Sequence, residues 1–258
     1  LTTAEIGLRK GYERTANPLS GGGIAVLYVA FFAGHARYEL ISMPVAFAGM
    51  VLVTITACLV AVRYDAFPTA VLGLLGGFAT PVALSTGEDR PVALFSYILL
   101  LNLGLFAVGF KKRWNGLFEL GLLGTFLIQA GWFAKFLSPE NTGVAVVVLG
   151  VFGLLYLSLP LRSRSEDQSR SLKTGALGAL TPFLFAFYLA SAPAYLEQWP
   201  LLFGLVALLE GATLFTALRR GWTSLHISAS AASALTLALW AGQGLDAGRG
   251  VPLWGPTL

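Results

Sequence analysis

Two apolar segments of membrane-spanning length, separated by a short charged loop, constrain this chain more than any other feature. They run from Pro68 to Thr86 and from Pro91 to Phe110, with the sequence Gly87-Glu88-Asp89-Arg90 between them. An α-helix needs about 20 apolar residues to cross about 30 Å of hydrocarbon. Because so short a loop can only join neighbouring helices, the sequence predicts a transmembrane helical hairpin.

The same pattern extends along the chain, which is 56% hydrophobic and 12% charged with a mean hydropathy of +0.73. Soluble domains carry about 25% charged residues, and the remaining polar residues are too few to cover a soluble helical protein. The sequence therefore predicts an all-α integral membrane protein of about nine transmembrane helices arranged as repeated hairpins. The predicted apolar runs are Ser20–Arg37, Met43–Val62, Pro68–Thr86, Pro91–Phe110, Gly116–Leu137, Thr142–Leu161, Thr174–Ala192, Trp199–Leu218 and Thr223–Ala241.

The basic residues predict the orientation of these helices. Of the 17 lysines and arginines, 13 lie at one set of alternate helix ends and 4 at the other. Lys and Arg in short loops stay on the cytoplasmic side, so we expect the chain to start inside and end outside. Residues 1–19 are then a cytoplasmic-face segment, either interfacial or a plain loop, 20–241 the transmembrane bundle, and 242–258 an outer-face segment. The start at Leu1 and the unpaired ninth run lead us to expect a piece of a longer protein.

The distribution of charge also bears on partners and cofactors. Despite a pI of about 9.3, the basic residues form no stripe with interleaved aromatics, so no nucleic acid is expected. The single Cys58 excludes an intrachain disulfide. His35 and His226 lack a second ligand at metal-binding spacing, so no metal site is predicted. One His could still hold a haem or a pigment, and the cofactor is left unknown.

Glycines recur in the segments predicted to run outward. Glycine lets two helix backbones approach closely, and such contacts supply much of the association energy in lipid. A phosphate-binding glycine loop would need a preceding strand and a following Lys-Ser/Thr pair, which the sequence lacks. The pattern predicts close helix packing at Gly21, Gly22, Gly23, Gly73, Gly76, Gly77, Gly121 and Gly124.

Two Thr-Pro pairs lie inside predicted spans, in the related sequences Gly77-x-x-Thr80-Pro81 and Gly178-x-x-Thr181-Pro182. Each proline removes a backbone hydrogen bond and should kink or break its helix. A break could expose carbonyls to a substrate or ion, as in transporters. The alternative is that each pair only fits the bend of the bundle, with threonine satisfying the freed groups.

Glu210 is the ionisable residue nearest the middle of a predicted span. A charged side chain there costs at least about 2.5–3.5 kcal/mol on insertion scales, so it should face the bundle interior. The sequence leaves two roles open, a proton-coupling or substrate-binding group and a neutral structural hydrogen-bonding group. The polar residues that could accompany it are Asn102, Gln129 and His226. No Ser/His/Asp or paired-carboxylate set can be assembled, so no catalytic residue is predicted.

Three stretches resemble the domain of unknown function 2339 family of bacterial membrane proteins. They are Ser20-Gly-Gly-Gly-Ile-Ala-Val-Leu-Tyr, the segment from Leu72 to Gly87, and the segment from Ala93 to Gly104. The resemblance is clearest from about Leu19 to Trp114. It implies a long, multi-pass protein of the bacterial inner membrane, and it implies no reaction.

Three functions follow as hypotheses. The first is a non-enzymatic scaffold or accessory subunit of a larger membrane assembly, with the bilayer and other membrane subunits as partners. The second is a transporter or lipid-handling carrier that uses kinked helices and Glu210. The third is a subunit associated with a pigment or cofactor.

Overall fold

The computed structural model describes residues 13–85, 87–162 and 168–246, with the side chains of 21–85, 87–162 and 173–243. These residues form nine α-helices and no strand, which confirms the all-helical class. Residues 1–12 and 247–258 of the predicted end segments lie outside these ranges, whereas 13–19 begin the first helix and 242–246 end the last. The helices are α1 (Glu13–Ala36), α2 (Met43–Tyr64), α3 (Phe67–Ala83), α4 (Pro91–Lys112), α5 (Asn115–Phe136), α6 (Thr142–Arg162), α7 (Gln168–Ser191), α8 (Trp199–Arg220) and α9 (Thr223–Asp246).

Seven of the described helices are long and apolar enough to cross a membrane. They are α2 and α4 to α9, whereas α3, with 17 residues, and the part of α1 from Gly21 to Ala36 are shorter apolar helices. Two 3₁₀ helices, Pro139–Asn141 and Pro193–Gln198, precede α6 and α8. Each predicted apolar run thus coincides with one helix, and most boundaries agree within two or three residues.

Three of the helix connections use the same tight turn. The residue that follows α2, α4 and α8 has a left-handed backbone, with φ of 55° at Asp65, 57° at Arg113 and 67° at Gly221. A left-handed residue commonly closes the last turn of a helix by bonding back to it. These same helices carry basic residues in their last turns, as does α6. The repeated hairpins therefore share one turn geometry as well as one charge pattern.

The chain divides into two compact units between Ile128 and Gln129, within α5. In unit 1, helices α1, α2 and α3 pack against one another. Their common core includes Ile24, Tyr28, Met50 and Ala57, none of them more than 9% exposed. Tyr28 also donates a hydrogen bond to the Gly73 carbonyl at 3.0 Å, which links α1 to α3.

In unit 2, α6 packs against α7 and α8, and α9 packs against α7 and α8. One buried cluster joins Leu189 in α7 to Leu202 in α8. At the same end, the Tyr195 hydroxyl donates to the Leu137 carbonyl and the Trp240 indole donates to the Leu196 carbonyl, both at 3.3 Å. These aromatic side chains satisfy carbonyls in the short connections between helices.

Candidate functional site

The side chain of Glu210 is held by hydroxyls from the next helix. Ser233 donates a hydrogen bond to Oε1 at 2.5 Å, and Ser230 donates one to Oε2 at 3.2 Å. Glu210 lies in α8 and both serines lie in α9. The Glu210 side chain is about three-quarters buried, with 24% of its surface exposed. In an apolar helix pair, these donors replace the water that a carboxylate needs.

His226 completes this group. Its Nδ1 lies 3.4 Å from Oε2 of Glu210 and 3.3 Å from Oγ1 of Thr213. The Thr213 hydroxyl itself donates to the Glu210 backbone carbonyl at 3.0 Å. Because that hydroxyl hydrogen is engaged, the geometry fits a proton on Nδ1 that is shared between Thr213 and Glu210. We call these five residues, Glu210, Thr213, His226, Ser230 and Ser233, the Glu210 cluster.

Helix periodicity explains how the sequence brings the cluster together. His226, Ser230 and Ser233 are spaced i, i+4 and i+7, so they share one face of α9. Glu210 and Thr213 are spaced i and i+3 on α8. The tight turn at Gly221 folds α9 back along α8, so these two polar faces meet.

Of the three partners predicted for Glu210, His226 contacts its carboxyl group in the structure. Asn102 is fully buried in α4, and its Nδ2 donates to the Ile98 carbonyl and to Oγ1 of Thr125, both at 2.9 Å. It therefore links α4 to α5 inside unit 1. Gln129 is 2% exposed, and its Nε2 is the buried side-chain nitrogen without a hydrogen-bond partner among the described residues.

Sequence reasoning missed Thr213 as a member of the cluster and did not pair Ser230 and Ser233 with Glu210. The available signal for the two serines was their i+4 and i+7 spacing from His226, on the helix that follows the one with the intramembrane acid. Among the described residues, no three His, Cys, Asp or Glu side chains come together as a metal site would require.

The sequence matches the family described as "Predicted membrane protein (DUF2339)" over residues 2–201. The chain belongs to this family. The match confirms the resemblance and extends it well past Trp114, where the clearest resemblance ends. No curated protein and no solved structure matches the chain. The DUF2339 match ends before Glu210, so the Glu210 cluster lies outside the matched residues.

Both Thr-Pro pairs lie inside the DUF2339 match. α3 continues two residues past Pro81, and α7 continues to Ser191 past Pro182. Thr80 and Thr181 each donate their hydroxyl to the carbonyl four residues earlier, at 2.7 Å. The helices thus run through both pairs, and a role for these residues in exposing carbonyls to a substrate stays a prediction.

A tyrosine satisfies the carbonyl that Pro81 releases. Proline at position 81 has no N–H for the carbonyl of Gly77, four residues earlier. The Tyr97 hydroxyl from α4 donates to that carbonyl at 2.9 Å. An interhelical hydrogen bond therefore takes the place of the missing intrahelical one.

The glycines of the sequence prediction have different surroundings. A Cβ would lie 2.7 Å from Leu72 Cδ1 at Gly21, 2.6 Å from Ala57 Cβ at Gly73, and 2.7 Å from the Phe78 ring at Gly124. At Gly76 a Cβ would overlap the Tyr28 ring, and at Gly77 it would lie 3.0 Å from Leu101. Gly22 is exposed, with nothing within 4 Å of an added Cβ. Gly23 is half-buried in α1, and Gly121 is buried in α5.

The Glu210 cluster offers a definite chemistry. A carboxyl and an imidazole within hydrogen-bonding reach can exchange one proton, and the serine hydroxyls stabilise the carboxylate form. Ionisable groups inside a membrane domain are functional candidates by default. The arrangement can hold or pass a proton, and it contains no nucleophile and base aligned for covalent catalysis.

Proposed function

We propose that this protein is a non-enzymatic subunit of a larger assembly in the bacterial cytoplasmic membrane, where it offers a helix face to a transmembrane helix of another subunit. The outer face of α9 supports this proposal. Only 22% of the most apolar stretch of α9 is buried within the protein, whereas 39–56% is buried in the other candidate spans among the described residues. A helix that packs so little within its own chain has a large surface left for a partner.

The residues on this face are suited to helix packing. Ala231, Ala234, Ala238 and Gly242 are exposed and recur every three or four residues along α9. Small residues at this spacing let two membrane helices approach closely, and dispersion contacts and lipid release then favour association. An added Cβ at Gly242 would meet no atom within 4 Å, so the face is open.

The charge pattern supports the proposed orientation. Helices α2, α4, α6 and α8 end with basic residues in the last turn. Lys and Arg at short loops favour the cytoplasmic side. We place these ends inside the cell, with the lipid bilayer and a membrane subunit as partners and no role for nucleic acid.

The test measures assembly size. The full chain, expressed in bacteria and extracted in mild detergent, should migrate in native gels as a complex larger than its own micelle. The double variant Ala234→Leu, Ala238→Leu should lose the larger form, because the bulky side chains hold the partner helix away. Ala107→Leu, an exposed alanine on α4, is the matched control. A wild-type monomer, or a complex that survives the double variant, would refute the proposal.

The Glu210 cluster supports a second candidate, a carrier coupled to proton movement. The Glu210 carboxyl lies within hydrogen-bonding distance of His226 and accepts hydrogen bonds from Ser230 and Ser233, so it could take up or release a proton inside the membrane. Such a group could couple the binding of a substrate to proton uptake.

Proton flux in proteoliposomes tests this candidate. Glu210→Gln keeps the shape of the side chain but cannot ionise. If the protein is a carrier, the proton flux of this variant should be no higher than that of empty liposomes, whereas the wild type should exceed it. Ser228→Ala is the control, because the Ser228 hydroxyl bonds carbonyls of its own helix. Equal flux in wild type and Glu210→Gln would remove the carrier role and leave the subunit proposal standing.

A further inference from the structure

Unit 1 contains an apolar cavity of about 370 Å³ between α2, α3 and α4. Its lining runs from Val51 to Leu59 on α2 and from Tyr97 to Val108 on α4, and it includes Ala70 and Leu74 on α3 and Leu117 on α5. Ligand cavities in proteins are commonly about 300–1,000 Å³ and mostly apolar. Two of the helices that line this cavity, α2 and α4, are candidate membrane spans, so we expect the cavity at membrane depth.

The lining of the cavity is elongated. From Tyr97 to Val108 it rises about 16 Å along α4 at 1.5 Å per residue. An apolar lining of this length suits one extended hydrocarbon chain. We call this elongated cavity the slot.

The polar groups in the wall are already engaged within the protein. Thr54 donates its hydroxyl to the Met50 carbonyl at 3.0 Å, and Tyr97 donates to the Gly77 carbonyl at 2.9 Å. A ligand that carried polar groups along its length would therefore find no matching donors from these two hydroxyls. The wall suits an alkyl chain.

One end of the slot leads to a basic surface. Arg63 follows Leu59 by one helical turn on α2, and Lys111 follows Val108 by three residues on α4, so each continues the face that lines the slot. Both side chains are exposed. Lys112, at the same end, forms an ion pair of 2.8 Å with Asp65. Arg63 and Lys111 thus lie where the headgroup of a lipid would be if its chain filled the slot.

We propose that the slot binds one acyl chain of an anionic phospholipid, whose phosphate is recognised by Arg63 and Lys111. Cationic side chains at the membrane surface attract anionic headgroups, and an extended chain in the slot fixes the lipid in place. This site goes beyond the proposed subunit function and does not depend on it, because it lies in unit 1 and involves no residue of α9.

Gly104 gives a direct test of the acyl-chain site. It lines the slot, and an added Cβ would meet no protein atom within 4 Å, so this position has room for a larger side chain. Gly22 on α1 has the same open surroundings away from the slot and is the matched control. The full chain in mild detergent is incubated with an equal mixture of phosphatidylglycerol and phosphatidylethanolamine that carry identical chains. Native mass spectrometry then counts the bound lipids.

Wild type and Gly22→Leu should retain phosphatidylglycerol in preference to phosphatidylethanolamine. Gly104→Leu should retain severalfold less phosphatidylglycerol, because its side chain occupies the slot. The double variant Arg63→Gln, Lys111→Gln should still bind lipid but lose the preference between the two headgroups. Equal retention by Gly104→Leu and Gly22→Leu would overturn the acyl-chain site. An unchanged preference in the double variant, or none in wild type, would overturn the headgroup assignment.

Discussion

Exchanging the residues at Gly73 and Ala57 tests whether α2 and α3 pack as closely as they do in the structure. A Cβ added at Gly73 would lie 2.6 Å from Ala57 Cβ. Ordinary carbon contacts are about 3.5–4.0 Å, so the two helices would have to separate locally by about 1 Å. Both residues are buried, and Ala57 has no flexible side chain that could move aside.

The expected magnitude combines two opposing effects. Overpacking in a close-packed core costs about 1–3 kcal/mol, while Gly to Ala in a helix gains about 0.5–1 kcal/mol. Gly73→Ala should therefore lower the free energy of unfolding by about 1–2 kcal/mol. Gly22→Ala, where an added Cβ meets nothing within 4 Å, should raise it slightly. The double variant Gly73→Ala, Ala57→Gly exchanges the two groups and should return to within about 0.5 kcal/mol of wild type.

Equilibrium unfolding in mixed micelles, followed by far-ultraviolet circular dichroism as the fraction of denaturing detergent rises, measures all four proteins. A stable Gly73→Ala would mean that α2 and α3 do not approach as closely as the structure has them. A double variant that stays as unstable as Gly73→Ala would show that the loss does not come from the Ala57 contact.

Two further predictions use matched pairs in the same unfolding assay. Ser233→Ala should cost about 1 kcal/mol, the usual range for an interhelical hydrogen bond in a membrane protein, because it removes the 2.5 Å bond to Glu210. Ser228→Ala, whose hydroxyl bonds its own helix, should change little, and equal losses would contradict the pairing. Arg113→Gly should raise stability by about 1 kcal/mol by relieving a left-handed non-glycine residue at φ 57°. Gly221→Ala should lower the stability by a similar amount. If Arg113→Gly and Gly221→Ala changed the stability in the same direction, the shared turn geometry would be refuted.

A single substitution in the Glu210 cluster changes two properties of the protein at once. The side chains of the cluster come from two neighbouring helices, so one substitution there changes both the packing of α8 on α9 and the charge inside the membrane. Paired variants that keep the shape, such as Glu210→Gln, separate the two effects. Gly104→Leu in the slot does not combine packing and charge effects in this way, because its side chain enters space that the protein leaves open.

Much of the fold could be predicted from the sequence because hydrocarbon imposes one simple requirement. Backbone polar groups in lipid must be satisfied within the segment, so each apolar run of sufficient length becomes a helix. Positions such as Met43, Pro91 and Thr223, where apolar runs begin after short polar stretches, are the starts of α2, α4 and α9. The first turn of a helix leaves its N–H groups unpaired, so proline, which has no N–H, is favoured there. Proline at or next to the start marks the beginning of α2 and of α4.

The candidate sites depended on which helix faces meet. The sequence singled out Glu210 and His226 but also offered Asn102 and Gln129 as equal partners. In the structure, Asn102 donates a hydrogen bond to Thr125, whereas the His226 imidazole lies next to the Glu210 carboxyl. The slot had no sequence signal, because its lining consists mostly of apolar residues that occur throughout the predicted spans.

The amino-acid sequence by itself determined that this DUF2339 chain is a helical membrane protein, where most of its described helices begin and end, and which ends are basic. These properties follow from local hydropathy and charge, which act along one helix at a time. Only the tertiary structure decided the partners of Glu210, the close contact of Gly73 with Ala57, and the slot beside Gly104. Those features depend on the rotation and separation of neighbouring helices, which side-chain packing between distant segments sets.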